Sequence, residues 1–198
     1  MTASNDGLHD VTETQSWTHA LAVRTMLGHF GHLRDIHISP DPEEDEYFIC
    51  IAEFVIWVSI VDQDFELLLN GYSTSSGANY SHLRKASADG QHVIAATWAR
   101  NKITHCVSRP VLNQAGRLDQ TLILGESNLG PDFRWLKTMD LIDQGVKVTE
   151  KYPQEPLYDS LFAGKSIYET LVPCVRWLSE VRYDYRDPTW ASRWFRAR

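Results

Sequence analysis

The feature that most limits what this chain can fold into is a 15-residue apolar run, Tyr47–Val61, that directly follows a cluster of acidic residues. A helix that spans a bilayer needs about 20 apolar residues, and this run also contains Glu53 and Ser59. The run therefore predicts a core element of a soluble protein, and we expect no membrane partner.

The segment before the apolar run is typical of the start of a helix. Ser39–Glu46 contains two prolines and five acidic residues, and acidic side chains are favourable at the positive end of a helix. We predict a helix over 41–69 that ends at Asn70-Gly71, a good pair for a helix C-terminus. The β-branched stretch 54–61 leaves a buried strand open as an alternative, but the length and the acidic start favour the helix.

Helical periodicity recurs along the rest of the chain, which has 198 residues and an ordinary globular composition. We predict a single domain over 1–198 that is mostly α. Its parts are a helical bundle core at about 16–110, a small β-hairpin insertion around 120–137 with strands at 121–124 and 133–136, and C-terminal helices at 156–185.

The charge of the chain is negative overall but unevenly distributed. Nineteen basic and 26 acidic side chains give −7, which excludes general attraction to nucleic acid or anionic lipid. Residues 41–70 contain nine acids and no base, whereas residues 84–117 contain six bases and one acid. These segments are either opposite solvated faces, or a rim that binds RNA and a face that repels RNA or receives a basic partner. The candidate substrate-binding residues are Arg84, Lys85, Lys102 and Arg109.

The three cysteines are too few and too widely spaced for a disulfide framework or a CxxC zinc site. The polar first ten residues do not resemble a secretory signal, and together these features predict a cytoplasmic protein. The histidines His29, His32 and His37 lack a carboxylate or thiolate at a persuasive spacing, so we expect no metal site.

The candidate catalytic residues lie in the segment Trp98–Cys106, which reads Arg100-Asn101, three residues, then His105. On a helix with about 100° per residue, Asn101 and His105 share the seam of Trp98, and Arg100 lies on the neighbouring seam. Polar groups at positions where the pattern expects core residues need partners or a chemical role. Histidine can transfer a proton near neutral pH and arginine can hold a phosphate through two hydrogen bonds, which is the chemistry that phosphodiester cleavage needs.

This Arg-Asn-x-x-x-His pattern near a helix end resembles the signature of HEPN domains (higher eukaryotes and prokaryotes nucleotide-binding), and the resemblance covers about 41–110. It implies an all-α bundle of HEPN type and a metal-independent endoribonuclease that needs no cofactor and acts as a homodimer on RNA. Many HEPN proteins are toxins or antiphage proteins, so an antitoxin or another protein partner is possible. Carried over to this chain, His105 would be the general acid or base, Arg100 would stabilise the charged phosphorane, and Asn101 would position the phosphate or the histidine ring.

The asparagine gives the motif most of its specificity. With 13 Arg and 8 His in the chain, Arg-x4-His is expected by chance roughly 0.5 times, and requiring Asn after Arg lowers this to roughly 0.02. A second copy of the bare spacing, Arg24 and His29, has Thr25 in place of the asparagine. This second copy is therefore a natural comparison for the first.

Glu53 is the carboxylate inside the apolar run, and a buried carboxylate needs a cation. We therefore expect Glu53 to orient Arg100 or His105, unless it lies on a helix face open to water. Two other functions stay open, a non-catalytic HEPN-like module that binds a nucleotide or a protein, and a plain helical interaction protein.

The tail, Trp177–Arg198, is rich in tryptophan and arginine. Such a tail can stack on bases. The pattern more often packs its aromatic residues on the protein body and leaves the arginines in water, and we favour that arrangement.

Overall fold

The computed structural model describes residues 13–39, 44–105, 112–113, 133–139, 155–180 and 190–198. At 103–105 it describes the helix but not the side chains. The predicted strand at 121–124, the candidate Arg109 and the N-terminal residues 1–12 lie outside these ranges.

The described chain is mostly helical, which confirms the predicted α class. In chain order the elements are α1 (Glu13–His37), α2 (Glu44–Leu68), α3 (Tyr80–Ala86), α4 (Ala88–His105), β1 (Leu112–Asn113), β2 (Arg134–Trp135), α5 (Glu155–Leu161), α6 (Ile167–Glu180) and α7 (Trp190–Arg196).

Four helices form the bundle, in which α1 contacts α2, α2 contacts α4, α4 contacts α6, and α6 contacts α1. Helices α1 and α2 are antiparallel, because His19 of α1 lies against Phe65 of α2 while His32 lies near Glu46. Helices α3 and α5 pack on α4 from outside the ring. Helix α4 is therefore the most central element of the fold.

Helix α2 confirms the helical prediction for the apolar run, and the alternative of a buried strand at 54–61 is wrong. Its inward residues, among them Phe54, Val58 and Phe65, are fully buried. The helix is followed by a turn at Leu69–Gly71, and Gly71 has φ of +96°, a left-handed conformation that glycine adopts without steric cost. The Asn70-Gly71 pair, predicted to end the helix, thus lies directly after the observed end of α2.

Of the predicted hairpin at 120–137, only the second strand lies within the described residues, and its partner is not the predicted one. Strand β2 pairs antiparallel with β1, which precedes the predicted hairpin, so that Leu112 faces Trp135 and Asn113 faces Arg134. On its other side, β2 is bonded to the segment that precedes α6: Trp135 N donates to Lys165 O (3.1 Å) and Gly164 N donates to Trp135 O (2.7 Å). Strand β2 therefore lies between β1 and the segment before α6.

The C-terminal residues form one helix more than predicted, because α6 ends at Glu180 and α7 follows at Trp190–Arg196. Trp177 and Trp194 are buried, whereas Arg193, Arg196 and Arg198 are exposed. For the described side chains, this confirms that the tail packs its aromatic residues on the body. The Arg198 guanidinium lies 4.6 Å from the ring centroid of Trp194 and 5.3 Å from that of Trp177.

No helix in the described part of the chain is both long and apolar enough to cross a membrane.

Candidate functional site

The candidate catalytic motif occupies the last two turns of α4, and the turns before it are deeply buried. Val93, Ala96 and Ala99 are fully buried, and Trp98 is 2% exposed. The small alanines leave room for α2, α5 and α6 to approach α4 closely. The helix thus carries the motif from the centre of the bundle to its end.

The motif begins where burial decreases. Arg100 and Asn101 are both half-buried. The backbone is helical through His105, so that Asn101 and His105, four positions apart, lie on the same face of α4. The structure therefore brings Arg100, Asn101 and the backbone of His105 to one helix end, while the His105 side chain lies outside the described residues.

Lys102, a predicted substrate-binding residue, is buried rather than exposed. Its Nζ lies 5.0 Å from the ring centroid of Trp98, one turn earlier on α4, in a cation–π contact. Trp98 packs against Tyr158 of α5 (4.3 Å between ring centroids), and Tyr158 Oη donates a hydrogen bond to Leu136 O (2.6 Å). Lys102 thus belongs to the packing that fixes the end of α4 against α5 and β2.

Glu53 lies on a helix face open to water, which is the alternative that the sequence left open, and its described ion-pair partner is a histidine of α1 rather than Arg100. Its side chain is 50% exposed, and Oε2 lies 3.3 Å from His29 Nδ1 of α1. The physical reason is helical phase, because Glu53 shares the outward seam of α2 with Ile49 and Ile60, which are also exposed. His29 belongs to the second copy of the Arg-x4-His spacing, which lies on α1.

The buried carboxylate of α2 is Asp62, and sequence reasoning missed it. Tyr80 Oη donates a hydrogen bond to Asp62 Oδ1 (2.8 Å), Arg84 forms an ion pair with Asp62 Oδ2, and Trp177 Nε1 donates to Tyr80 Oη (3.1 Å). Arg84 Nη2 also lies 3.4 Å from Glu66 Oε2. These contacts form a polar network that joins α2, α3 and α6 inside the bundle.

Burial controls the electrostatics of this network. Desolvation raises the pKa of Asp62, although the nearby Arg84 and the hydrogen bond from Tyr80 act in the opposite direction. Desolvation together with the Asp62 charge also raises the pKa of Tyr80 well above its usual range. The phenol therefore stays protonated and can only donate to Asp62. The network is a fixed set of contacts between three helices.

The remaining candidates for substrate binding have different surroundings. Arg84 is the cation of the buried network, and only 12% of its side chain is exposed. Lys85, the next residue, is exposed on α3. Only Lys85 among the described basic candidates is thus fully open to solvent.

The described residues contain no group of three or more side chains placed to hold a metal ion. Burial raises the pKa of Cys50 to about 12, so its thiol is protonated at neutral pH and is a poor nucleophile. Burial raises the pKa of Cys174 as well.

Comparisons with known proteins place the chain in no family: no family model, no curated protein and no solved structure is significantly similar to it.

Proposed function

We propose that this protein is a metal-independent endoribonuclease with a bundle of HEPN type, and that Arg100, Asn101 and His105 form its active site. The observation that carries the proposal is the position of the motif. A polar Arg-Asn pair emerges from the buried part of the central helix at its last turns. Arginine and asparagine side chains at the end of a buried helix can bind a phosphate group through several hydrogen bonds, which is the chemistry that the proposed active site needs.

The proposed reaction uses the 2′-hydroxyl of the RNA itself. A histidine removes the proton of the 2′-hydroxyl, and O2′ then forms a bond to phosphorus while the bond from phosphorus to the 5′-oxygen breaks. A second proton transfer neutralises the leaving 5′-oxygen, and the products are a 2′,3′-cyclic phosphate and a 5′-hydroxyl. Arg100 stabilises the charge of the phosphorane, and the need for a 2′-hydroxyl restricts the reaction to RNA.

Two protons must be transferred, and each copy of the chain carries one histidine of the motif, His105. A two-fold pairing of copies that brings two α4 ends together would supply the second histidine and the second arginine. We therefore propose a homodimer as the active form. Because the net charge is −7, we expect selective rather than general RNA binding, as suits a toxin or antiphage protein controlled by a partner.

The central test is cleavage of labelled RNA by the purified protein in the presence of EDTA. Arg100→Ala and His105→Ala should each lower the cleavage rate by about 100-fold to 10,000-fold, because each removes transition-state stabilisation or proton transfer. The products should carry a 2′,3′-cyclic phosphate, which mass spectrometry identifies. An RNA with a 2′-O-methyl group at the cleaved position should remain intact.

The second copy of the spacing provides a matched control for this test. Arg24→Ala and His29→Ala remove the same residue types at the same spacing on α1, and cleavage should stay at the wild-type rate. Equal loss in both pairs of variants, or cleavage that persists in Arg100→Ala and His105→Ala, would contradict the proposed active site.

Mixing wild-type protein with an inactive variant tests the dimer. If one site uses the histidines of both copies, a mixed dimer of wild type and His105→Ala is inactive. An equal mixture should then keep about a quarter of the activity of the same total amount of wild type after subunit exchange, because a quarter of the dimers contain two wild-type copies. About half of the activity, as expected from dilution alone, would mean that each site is built within one copy.

A non-catalytic module that binds a nucleotide or a protein is the second candidate. This candidate is favoured because two residues predicted to bind RNA make contacts within the protein instead. Arg84 pairs with Asp62, and Lys102 lies over Trp98. For such a module we expect no cleavage of any RNA, together with a nucleotide-dependent rise in melting temperature that Arg100→Ala abolishes.

A further inference from the structure

The antiparallel pair α1–α2 carries the whole net charge of the protein. It holds nine of the 26 acidic side chains but only two of the 19 basic ones, so the rest of the chain is formally neutral. Helix α2 alone has seven acids and no lysine or arginine. Of these, Glu46, Glu53 and Glu66 have side chains that are about half-exposed. This pair of helices thus presents a strongly acidic surface.

The same two helices also expose large apolar side chains. In the described part of the chain, the exposed fractions of Trp17 and Leu21 on α1 are 59% and 47%. On α2 the exposed fractions are 54% for Ile49, 36% for Ile60 and 73% for Leu67. Exposed apolar residues on a soluble protein are ordinary when scattered, but a contiguous set points to a binding surface.

The exposed apolar residues of α2 lie in one row. Ile49, Glu53, Ile60 and Leu67 follow one another on a single outward seam of α2, at the spacing of one helix face. The ring contact between His19 and Phe65 places Trp17 of α1 at the same end of the helix pair as Leu67. We call the set of Ile49, Glu53, Ile60 and Leu67 the hairpin face.

We propose that the hairpin face is the docking surface for a basic amphipathic helix of a partner protein. The apolar residues match the apolar stripe of such a helix, and the glutamates beside them match its lysines and arginines. RNA does not fit, since its phosphates would be repelled by the acidic side chains. A second copy of this chain would bring an equally acidic α2. This surface is distinct from the end of α4 and does not depend on the nuclease activity.

A synthetic peptide tests the proposal on the full chain. The probe is an 18-residue fluorescent peptide of leucine and lysine arranged so that one helix face is apolar and the other basic. We expect it to bind the protein, with affinity that falls as salt concentration rises. The same composition in scrambled order, and an analogue with glutamate in place of lysine, should bind at least about tenfold more weakly.

Substitutions on the hairpin face locate the binding site. The double variant Ile60→Gln/Leu67→Gln should raise the dissociation constant of the probe about tenfold or more, because two apolar contacts are lost. Glu46→Gln/Glu53→Gln should raise it several-fold and reduce the salt dependence. The matched controls are Met139→Gln, which changes an equally exposed apolar residue elsewhere, and Glu169→Gln, which changes an exposed acid of α6. Both controls should bind like the wild type.

Four results would overturn the proposal. They are no binding of the basic peptide, equal binding by the hairpin-face variants and the controls, binding of a labelled RNA oligonucleotide to the protein that Ile60→Gln/Leu67→Gln abolishes, and a self-association of the protein that Ile60→Gln/Leu67→Gln abolishes. The last result would assign the surface to a second copy, and sedimentation equilibrium measures it directly. Circular dichroism melting confirms that each variant is folded, which is expected because all the changed residues are exposed.

Discussion

Replacement of Asp62 with alanine should lower the free energy of unfolding by about 3–5 kcal/mol, the usual cost of leaving one member of a buried ion pair without its partner. Of its two ion pairs, the Arg84 guanidinium would keep only the longer one, with Glu66, and the Tyr80 hydroxyl would lose its acceptor. A small domain is stable by about 5–15 kcal/mol in total, so the loss is large. Urea unfolding followed by circular dichroism measures it.

The same helix provides the control for this change. Glu53→Ala removes an acid whose partner, His29, lies across a solvent-exposed contact, and we expect a loss of at most about 1 kcal/mol. If Asp62→Ala cost no more than Glu53→Ala, the network would not be an important part of the core.

Replacement of the whole network distinguishes a stabilising role from one of specificity. In the triple variant Asp62→Leu/Tyr80→Phe/Arg84→Met the ion pair and its hydrogen bonds are removed together, and of the network only the Trp177 indole N–H loses its acceptor. Buried ion pairs replaced by apolar residues often leave stability unchanged or raised. We therefore expect the triple variant to be more stable than Asp62→Ala. A triple variant as unstable as the single one would mean that the shape of these side chains, and not their pairing, matters.

The contrast between Asp62 and Glu53 shows that the sequence indicates which acid of α2 is buried, and that the prediction chose the wrong one. Both acids lie within or beside the apolar part of α2, but Asp62 follows Phe54 and Val58 on the inward seam, while Glu53 follows Ile49 on the outward one. The position of each residue on the helix, which the sequence gives, therefore distinguishes the buried Asp62 from the exposed Glu53. The partner of Asp62 could not be predicted in this way. Arg84 reaches Asp62 only because the loop 69–79 brings α3 back to α2.

The pairing of β1 with β2 and the helix α7 were also hard to predict from the sequence, because neither has a clear local pattern. Two-residue strands such as Leu112–Asn113 have no periodicity to detect, and this strand pairs with one about twenty residues later along the chain. The segment Trp190–Arg196 is too short to show a helical pattern, and it is held by the packing of Trp194 against Trp177. Both elements depend on tertiary contacts more than on local propensity.

The surroundings of the candidate site could be predicted only in part. The helix that carries the motif was predicted from the sequence, and the structure places Arg100 and Asn101 half-buried near its end. Lys102 was expected on an RNA-binding rim, whereas it lies over Trp98, four residues earlier on the same helix face. Pairs at this spacing are neighbours on any helix, so the contact was available from the sequence, while its burial depends on Tyr158 of α5.

His19 should make the stability of the protein depend on pH between about 6.5 and 4. The ring is 1% exposed and packs against Phe65, and burial lowers the pKa of His19 from 6.5 to about 4. In this interval the unfolded chain binds a proton at His19 that the folded protein does not bind, so the free energy of unfolding falls as the pH decreases. A difference of about 2.5 pKa units corresponds to about 3 kcal/mol.

A variant that cannot titrate isolates this contribution from those of other groups. Burial raises the pKa of Asp62 and of Asp64, whose Oδ2 lies 3.6 Å from His19 Nδ1, and these two shifts act in the opposite direction, favouring the folded state as the pH decreases. Both acids remain in His19→Gln, so their effects largely cancel when the variant is compared with the wild type. Between pH 6.5 and 4 the wild type should lose about 3 kcal/mol more than His19→Gln. His32→Gln, which changes an exposed histidine of the same helix, should follow the wild type closely. Parallel curves for wild type and His19→Gln in urea unfolding would mean that His19 is protonated as readily in the folded protein as in the unfolded chain, and that α1 opens there to let water reach the ring.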